Sequence, residues 1–181
     1  MDSTSLGSLF YLPFKQQTFT GNQMRSSYVV QLDDEAATLF LGEQLAAILR
    51  PGLTVFLYGD LGAGKTTLAR GILKGLGHYD KVRSPTYNLV EIYKLSELYL
   101  YHFDFYRLND PLEWEEAGFR EYFNQNSICL VEWPEKAGEF LHAADLKIWI
   151  SYSGTGRIAE LKAETEAGEQ CLSRWQKQVS E

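Results

Sequence analysis

Two cysteines in 181 residues are too few and too far apart for a disulfide framework or a thiolate metal cluster. Cys129 sits in an apolar run and Cys171 near the end of the chain, a usage that fits a reducing cytoplasm. Long hydrophobic runs are missing too. No stretch approaches the roughly 20 apolar residues of a membrane span, and no charged-then-apolar signal opens the chain. A membrane role is therefore not expected. Positive charge is scarce: 17 Lys and Arg face 24 Asp and Glu, a net charge of -7. That balance argues against a broad electrostatic footprint for DNA or RNA, so any attraction for phosphate must be local. A hydrophobic content of 45% is enough for a real core, and the length suits one domain.

Residues 1–26 differ from the rest. Ser, Thr, Gln and Gly punctuate a small apolar patch, Leu9-Phe10-Tyr11-Leu12, which Pro13 breaks. The expectation is a poorly ordered N-terminal extension, followed by one domain over 27–181. Met24, just before the first convincing strand at 28–32, is a candidate biological start. A docking arm using Phe10, Tyr11 and Phe14 is the alternative.

The most specific local feature is Gly59-Asp60-Leu61-Gly62-Ala63-Gly64-Lys65-Thr66-Thr67, which fits G-x-x-x-x-G-K-[ST]. A β-forming apolar run at 54–58 precedes it, and a helical pattern at 68–76, stopped by Gly77, follows. Strand, glycine loop and helix are the context the motif requires. Converging backbone N–H groups and the positive end of the helix dipole favour phosphate oxygens there. Lys65 is placed to reach the β- and γ-phosphates, and the Thr66 hydroxyl to ligate Mg²⁺. The expected ligand is a nucleoside triphosphate.

Around this unit, Asp33 and Asp34 cap a helix from Glu35, with Ala37, Leu41, Leu45 and Ile48 on one face. A turn at Ser84-Pro85-Thr86-Tyr87 leads into a strand at 88–93, and a hairpin near Ser96-Glu97 into another at 98–107. Asp110-Pro111 starts a helix whose spacing runs to Phe123. A buried strand at 127–131 ends at Glu132. Segments 146–152 and 157–163 alternate around Gly154-Thr155-Gly156, as a hairpin does, and 172–179 reads as a terminal helix. The mixture predicts an α/β three-layer sandwich of the P-loop NTPase kind, its mixed sheet parallel around the loop strand with antiparallel additions. Ligands in such sheets bind beyond the carboxyl ends of the strands.

Three further segments carry chemistry at those ends. Glu132, at the tip of a buried strand, has the geometry of an acid that holds Mg²⁺ or orients water, although an ordinary exposed strand end reads the same in isolation. In His102-Phe103-Asp104-Phe105-Tyr106-Arg107, period two puts His102, Asp104 and Tyr106 on one face. Near a nucleotide site that face suggests a catalytic or metal-organising edge, with a structural hydrogen-bond network as the alternative; of the three, Asp104 suits Mg²⁺ best. Ser84 to Tyr87 stands where a switch segment would cover a γ-phosphate. Arg157 follows a glycine turn within reach of a phosphate, and Trp133 is a base-stacking or partner residue, or simply core.

Taken in order, Y-G-D-L-G-A-G-K-T-T (58–67), S-P-T-Y (84–87), Y-H-F-D-F-Y-R (101–107) and V-E-W-P-E (131–135) resemble the bacterial TsaE family, small ATPases of tRNA threonylcarbamoyladenosine (t6A) biosynthesis. The resemblance covers about residues 28–175. It implies ATP and Mg²⁺ as cofactors, Lys65 and Thr66 on the phosphates and metal, Glu132 as the second metal-associated carboxylate and Asp104 as an acid needed for hydrolysis. It also implies nucleotide contacts at Asp33, Glu35, Glu135 and Arg157; Asp33 carries no motif of its own. The implied partners are TsaD, which transfers threonylcarbamoyl to adenosine 37 of tRNA, and TsaB, with tRNA met only through that complex.

Three other readings compete. A small-metabolite kinase closes an arginine-bearing lid, and between Ser84 and Gly156 the only arginines are Arg107 and Arg120. A GTP-dependent switch reads guanine with N-K-x-D, which is absent. An ATP-dependent binding module without turnover stands against Glu132 and Asp104.

Overall fold

The computed structural model describes residues 14–20, 23–96 and 98–180. The docking-arm residues Phe10 and Tyr11 and the hairpin residue Glu97 lie outside the described residues. Eight strands form one sheet: β1 Phe14–Thr20, β2 Gln23–Leu32, β3 Thr54–Tyr58, β4 Val90–Lys94, β5 Tyr99–Asp104, β6 Ser127–Glu132, β7 Leu146–Ser153 and β8 Gly156–Ala163. Their order is β1-β2-β8-β7-β3-β6-β5-β4. The four central strands β7, β3, β6 and β5 run parallel, and antiparallel pairs extend the sheet on both sides.

Helices α1 Glu35–Ala46, α2 Lys65–Gly75 and α4 Glu166–Ser180 cover one face, where Leu41, Leu45, Leu68, Ile72 and Trp175 pack on Val55, Leu57 and Leu130. The other face carries the short α3 Pro111–Glu116 and 3₁₀ turns, over an aromatic core of Phe56, Phe103, Phe105, Trp114 and Phe119. The arrangement is the three-layer α/β sandwich expected. Strand β3 alternates between these cores, Val55 and Leu57 to one and Phe56 and Tyr58 to the other. Burial on both faces explains its unbroken apolar sequence.

The terminal helix begins at Glu166 rather than at 172, and three other boundaries differ from the sequence reading for reasons the structure shows. Residues 14–20 and 23–26, assigned there to the extension, form a β-hairpin that begins the sheet. The polar F-K-Q-Q-T-F-T is an edge strand, paired on one side only, and carries little apolar signal. The helix after Asp110 stops at Glu116, because Gly118 turns left-handed and restarts the chain as a 3₁₀ turn holding Phe119. Strand β5 ends at Asp104 rather than Arg107, since the Asp104 carboxylate accepts from the Tyr106 N–H at 3.0 Å and closes a turn. Among the described residues no helix is long and apolar enough to cross a membrane.

Candidate active site

The carboxyl ends of β3, β6 and β5 lie side by side, with Leu57 and Asp104 each in register with Glu132. This alignment gathers residues separated by 75 positions of sequence. Beyond β3 the chain turns through Gly59, whose φ of 140° and whose approach to the Ile150 carbonyl (2.3 Å from an ideal Cβ) leave no room for a side chain. Helix α2 then starts directly after Gly64 with no side-chain cap. Its first N–H groups are left for an external acceptor, with the dipole adding positive potential.

Lys65 is 4% exposed, and its ammonium donates to the Gly59 and Asp60 carbonyls at 2.6 and 2.9 Å. It also lies 4.1 Å from the centre of the Trp133 ring. Burial lowers the Lys65 pKa below the ordinary lysine value, and the negative charges of Glu132, Asp104, Glu135 and Asp60 oppose that shift. The result is a largely desolvated cation stored against loop carbonyls, which an incoming anion competes for. Trp133 holds a left-handed backbone with φ of 55°, uncommon for a bulky residue.

Both carboxylates are nearly sealed, Asp104 at 4% and Glu132 at 3% exposure, and each is held by hydrogen bonds. Thr66 Oγ1 donates to Glu132 Oε1 at 2.8 Å, which leaves the hydroxyl lone pairs for a cation. His102 Nε2 meets the same oxygen at 2.8 Å. Asp104 Oδ2 accepts from Ser84 Oγ at 2.6 Å and Thr86 Oγ1 at 2.8 Å, while its Oδ1 takes the Tyr106 N–H. Asp104 thus fixes the Ser84–Thr86 segment with one oxygen and the turn after β5 with the other. Glu132 Oε2 makes no hydrogen bond among the described residues and is not sealed away from the cavity.

A cavity of about 490 Å³ opens over these groups, walled by Gly64, Lys65, Thr66, Asp104, Glu132 and Trp133. Leu61, Gly62, Thr67 and Arg107 also line it, with Ser84, Thr86, Tyr87 and Tyr106 on the rim; Arg107 stacks over Tyr87 at 4.3 Å. A smaller hollow of about 220 Å³ flanks the same glycines and is lined by Asp34, Glu35, Thr38, Thr67 and Arg157. The expected residues therefore fall into groups. Leu61, Gly62, Gly64, Lys65, Thr66, Thr67, Asp104 and Glu132 meet at the main cavity, and Glu35 and Arg157 at the hollow. Gly59, Asp60 and Ala63 frame the loop without lining either space. Asp33 lines neither; the hollow takes its neighbour Asp34, which also caps α1 by accepting from the Ala37 N–H at 2.8 Å. Glu135 is exposed on the turn after Trp133 and contributes to the field at Lys65.

The pairing of His102 with Glu132, and of Ser84 and Thr86 with Asp104, is visible only in the folded chain. The sole signal for the latter pair was two hydroxyls two residues apart in a turn. Cys129 is not part of the chemistry: burial pushes its thiol up to about 12.

A family model described as threonylcarbamoyl adenosine biosynthesis protein TsaE matches residues 32–159, from the last residue of β2 to the middle of β8. The chain belongs to the TsaE family. Among TsaE proteins, that of Haemophilus influenzae is 48% identical over 147 residues, covering 78% of this chain and 93% of the relative. That of Bacillus subtilis is 42% identical over 117 residues, 65% of this chain and 73% of the relative. Both are named tRNA threonylcarbamoyladenosine biosynthesis proteins. The crystal structure of Bacillus subtilis YdiB superposes with a TM-score of 0.75 at 30% identity, covering 87% of this chain and 99% of that one. TsaE proteins act in tRNA t6A biosynthesis, and both cavities of this chain lie within the matched TsaE residues.

Proposed function

We propose that this TsaE protein is a cytoplasmic ATPase that binds and hydrolyses ATP with Mg²⁺, in complex with TsaD and TsaB, to support their modification of adenosine 37. The observation that carries this reading is the uncapped N-terminus of α2, with buried Lys65 beside it, facing two buried carboxylates on adjacent strand tips. The donor set fits the ligand. Backbone N–H groups and Lys65 suit phosphate oxygens. Thr66 Oγ1 and Glu132 Oε2 suit a hard cation that keeps substrate phosphates among its ligands. Among the described residues no cluster of three His, Cys, Asp or Glu stands ready for a metal, which agrees with a cation that arrives with the nucleotide.

Each residue then has a task. The loop and Lys65 bind the β- and γ-phosphates, and Arg157 and Glu35 border the hollow on the far side of the loop. Bound Mg²⁺ supplies charge neutralisation at the phosphate oxygens. Glu132, with its uncommitted oxygen on the cavity, is the group that holds the cation or orients the attacking water. Asp104 anchors Ser84 and Thr86 at the cavity wall and contributes to hydrolysis through that segment. Contact with tRNA is indirect, in keeping with the net charge of -7.

Isothermal titration with ATP and Mg²⁺ tests the reading. Lys65→Ala is expected to lose measurable binding, because backbone amides alone do not replace a desolvated ammonium. Near-native affinity in that variant would remove the phosphate-loop assignment.

A further inference from the structure

His102 is an anomaly on its strand. It is completely buried, and its Nδ1 has no hydrogen-bond partner among the described residues. An unsatisfied polar atom at such a position is costly, and two residues earlier on the same face of β5 the chain uses Leu100, equally buried and fully apolar. Filling space does not explain the imidazole. Its one hydrogen bond, from Nε2 to Glu132 Oε1 at 2.8 Å, does. A carboxylate oxygen only accepts, so Nε2 carries the hydrogen and Nδ1 is the nitrogen left unpaired.

The geometry around Glu132 gives that bond a consequence. Oε1 receives two donors, one from the rotatable Thr66 hydroxyl and one from a ring locked in the core. Fixing Oε1 from the sheet side sets the plane of the carboxylate and leaves Oε2 toward the cavity. Without the ring, Glu132 would hang on a single hydroxyl that is itself proposed to turn toward a cation. We infer that His102 is a positioning residue that orients Glu132 for the cation accompanying the nucleotide, acting through Glu132 and touching neither cation nor nucleotide. The inference rests on the reading of Glu132 given above and adds the group that makes it directional. Hydrogen-bond partners of ligating groups typically change metal affinity or activity on the order of 10–100-fold.

The test compares binding of the β,γ-imido analogue of ATP, in Mg²⁺ and in EDTA, by isothermal titration on the full chain. The quantity read is the ratio of the two affinities. His102→Gln can place an N–H close to the Nε2 position, whereas the shorter His102→Asn cannot. Loss of the Mg²⁺ advantage in the Asn variant by about tenfold or more, with EDTA affinity unchanged and the Gln variant largely restored, is the expected outcome. His102→Leu, which copies Leu100, repeats the measurement with an apolar filler should the Asn variant fold poorly in a thermal melt. A wild-type ratio in the Asn or Leu variant overturns the inference. So does an equal loss in Mg²⁺ and EDTA, the mark of a merely structural role. Glu132→Gln separates the two levels. If it too leaves the ratio untouched, the assignment of Glu132 fails and takes this inference with it; if it lowers the ratio while the His102 variants do not, only His102 is reassigned.

Discussion

Single residues divide into those whose role shows in their own neighbourhood and those whose role depends on the sheet. Lys65 and Thr66 belong to the first kind, because the phosphate loop is contiguous and the loop, strand and helix specify one another. Glu132 belongs partly to it, as an acid closing an apolar run. Its expected effect is sharp: Glu132→Gln keeps the shape, and its amide oxygen still accepts from Thr66 and His102, yet the charge is gone. Nucleotide binding should persist while phosphate release falls on the order of a hundredfold or more. A release assay at saturating ATP measures this, and an unchanged rate would move the hydrolytic role to Asp104. The partners of these acids were not legible. His102 reaches Glu132, and Asp104 pairs with it, only because β5 and β6 are parallel neighbours, and nothing in either segment announces that adjacency. Ser84 and Thr86 find Asp104 across 20 and 18 residues because β4, which they precede, pairs antiparallel with β5.

Elements were legible where burial is symmetric or a cap is explicit. Strand β3 matches its apolar run residue for residue, and α1 begins after Asp34 as its capping chemistry requires. Strand β1 leaves no apolar signal because an edge strand needs no apolar alternation, and α3 is shorter than its spacing suggests because Phe119 and Phe123 keep helical spacing after the helix has ended. Another constraint is visible only in the packed pair α1 and α2. The two helices approach so closely that an ideal Cβ on Gly71 would lie 2.2 Å from the Leu39 carbonyl oxygen. Backbone cannot swing aside as a side chain does. Gly71→Ala is therefore expected to destabilise the fold by about 1–3 kcal/mol despite its better helix propensity, lowering Tm by several degrees. Thermal unfolding followed by circular dichroism checks it; a Tm equal to or above that of the parent would show that the helices separate at no cost.

For the molecule as a whole, the question is whether the site is complete. Among the described residues, Lys65 and Arg107 are the cations lining the main cavity, and both are engaged, Lys65 by loop carbonyls and Arg107 by Tyr87. Arg120 is on the surface beside Glu115 at 3.7 Å. A phosphoryl-transfer site without a free arginine or a closing lid commonly gains that group, or the ordering it brings, from another subunit. The cavity rim is built for cover: Leu61, Tyr87 and Tyr106 are all exposed there, Tyr87 at 82%. The same rim includes Ser84 and Thr86, which Asp104 holds against the wall, so a subunit seated on Tyr87 would press on the segment that touches the buried Asp104 carboxylate. Hydrolysis is accordingly expected to be slow for the chain alone and to accelerate when TsaB and TsaD are added. The alternative is a competent solitary ATPase in which Arg107 leaves Tyr87 for the phosphates and partners only localise the enzyme. Steady-state phosphate release at saturating ATP, with the TsaB–TsaD pair titrated in, separates them. A rate that stays flat while an independent measurement shows the complex has formed would mean that the site is complete within this chain.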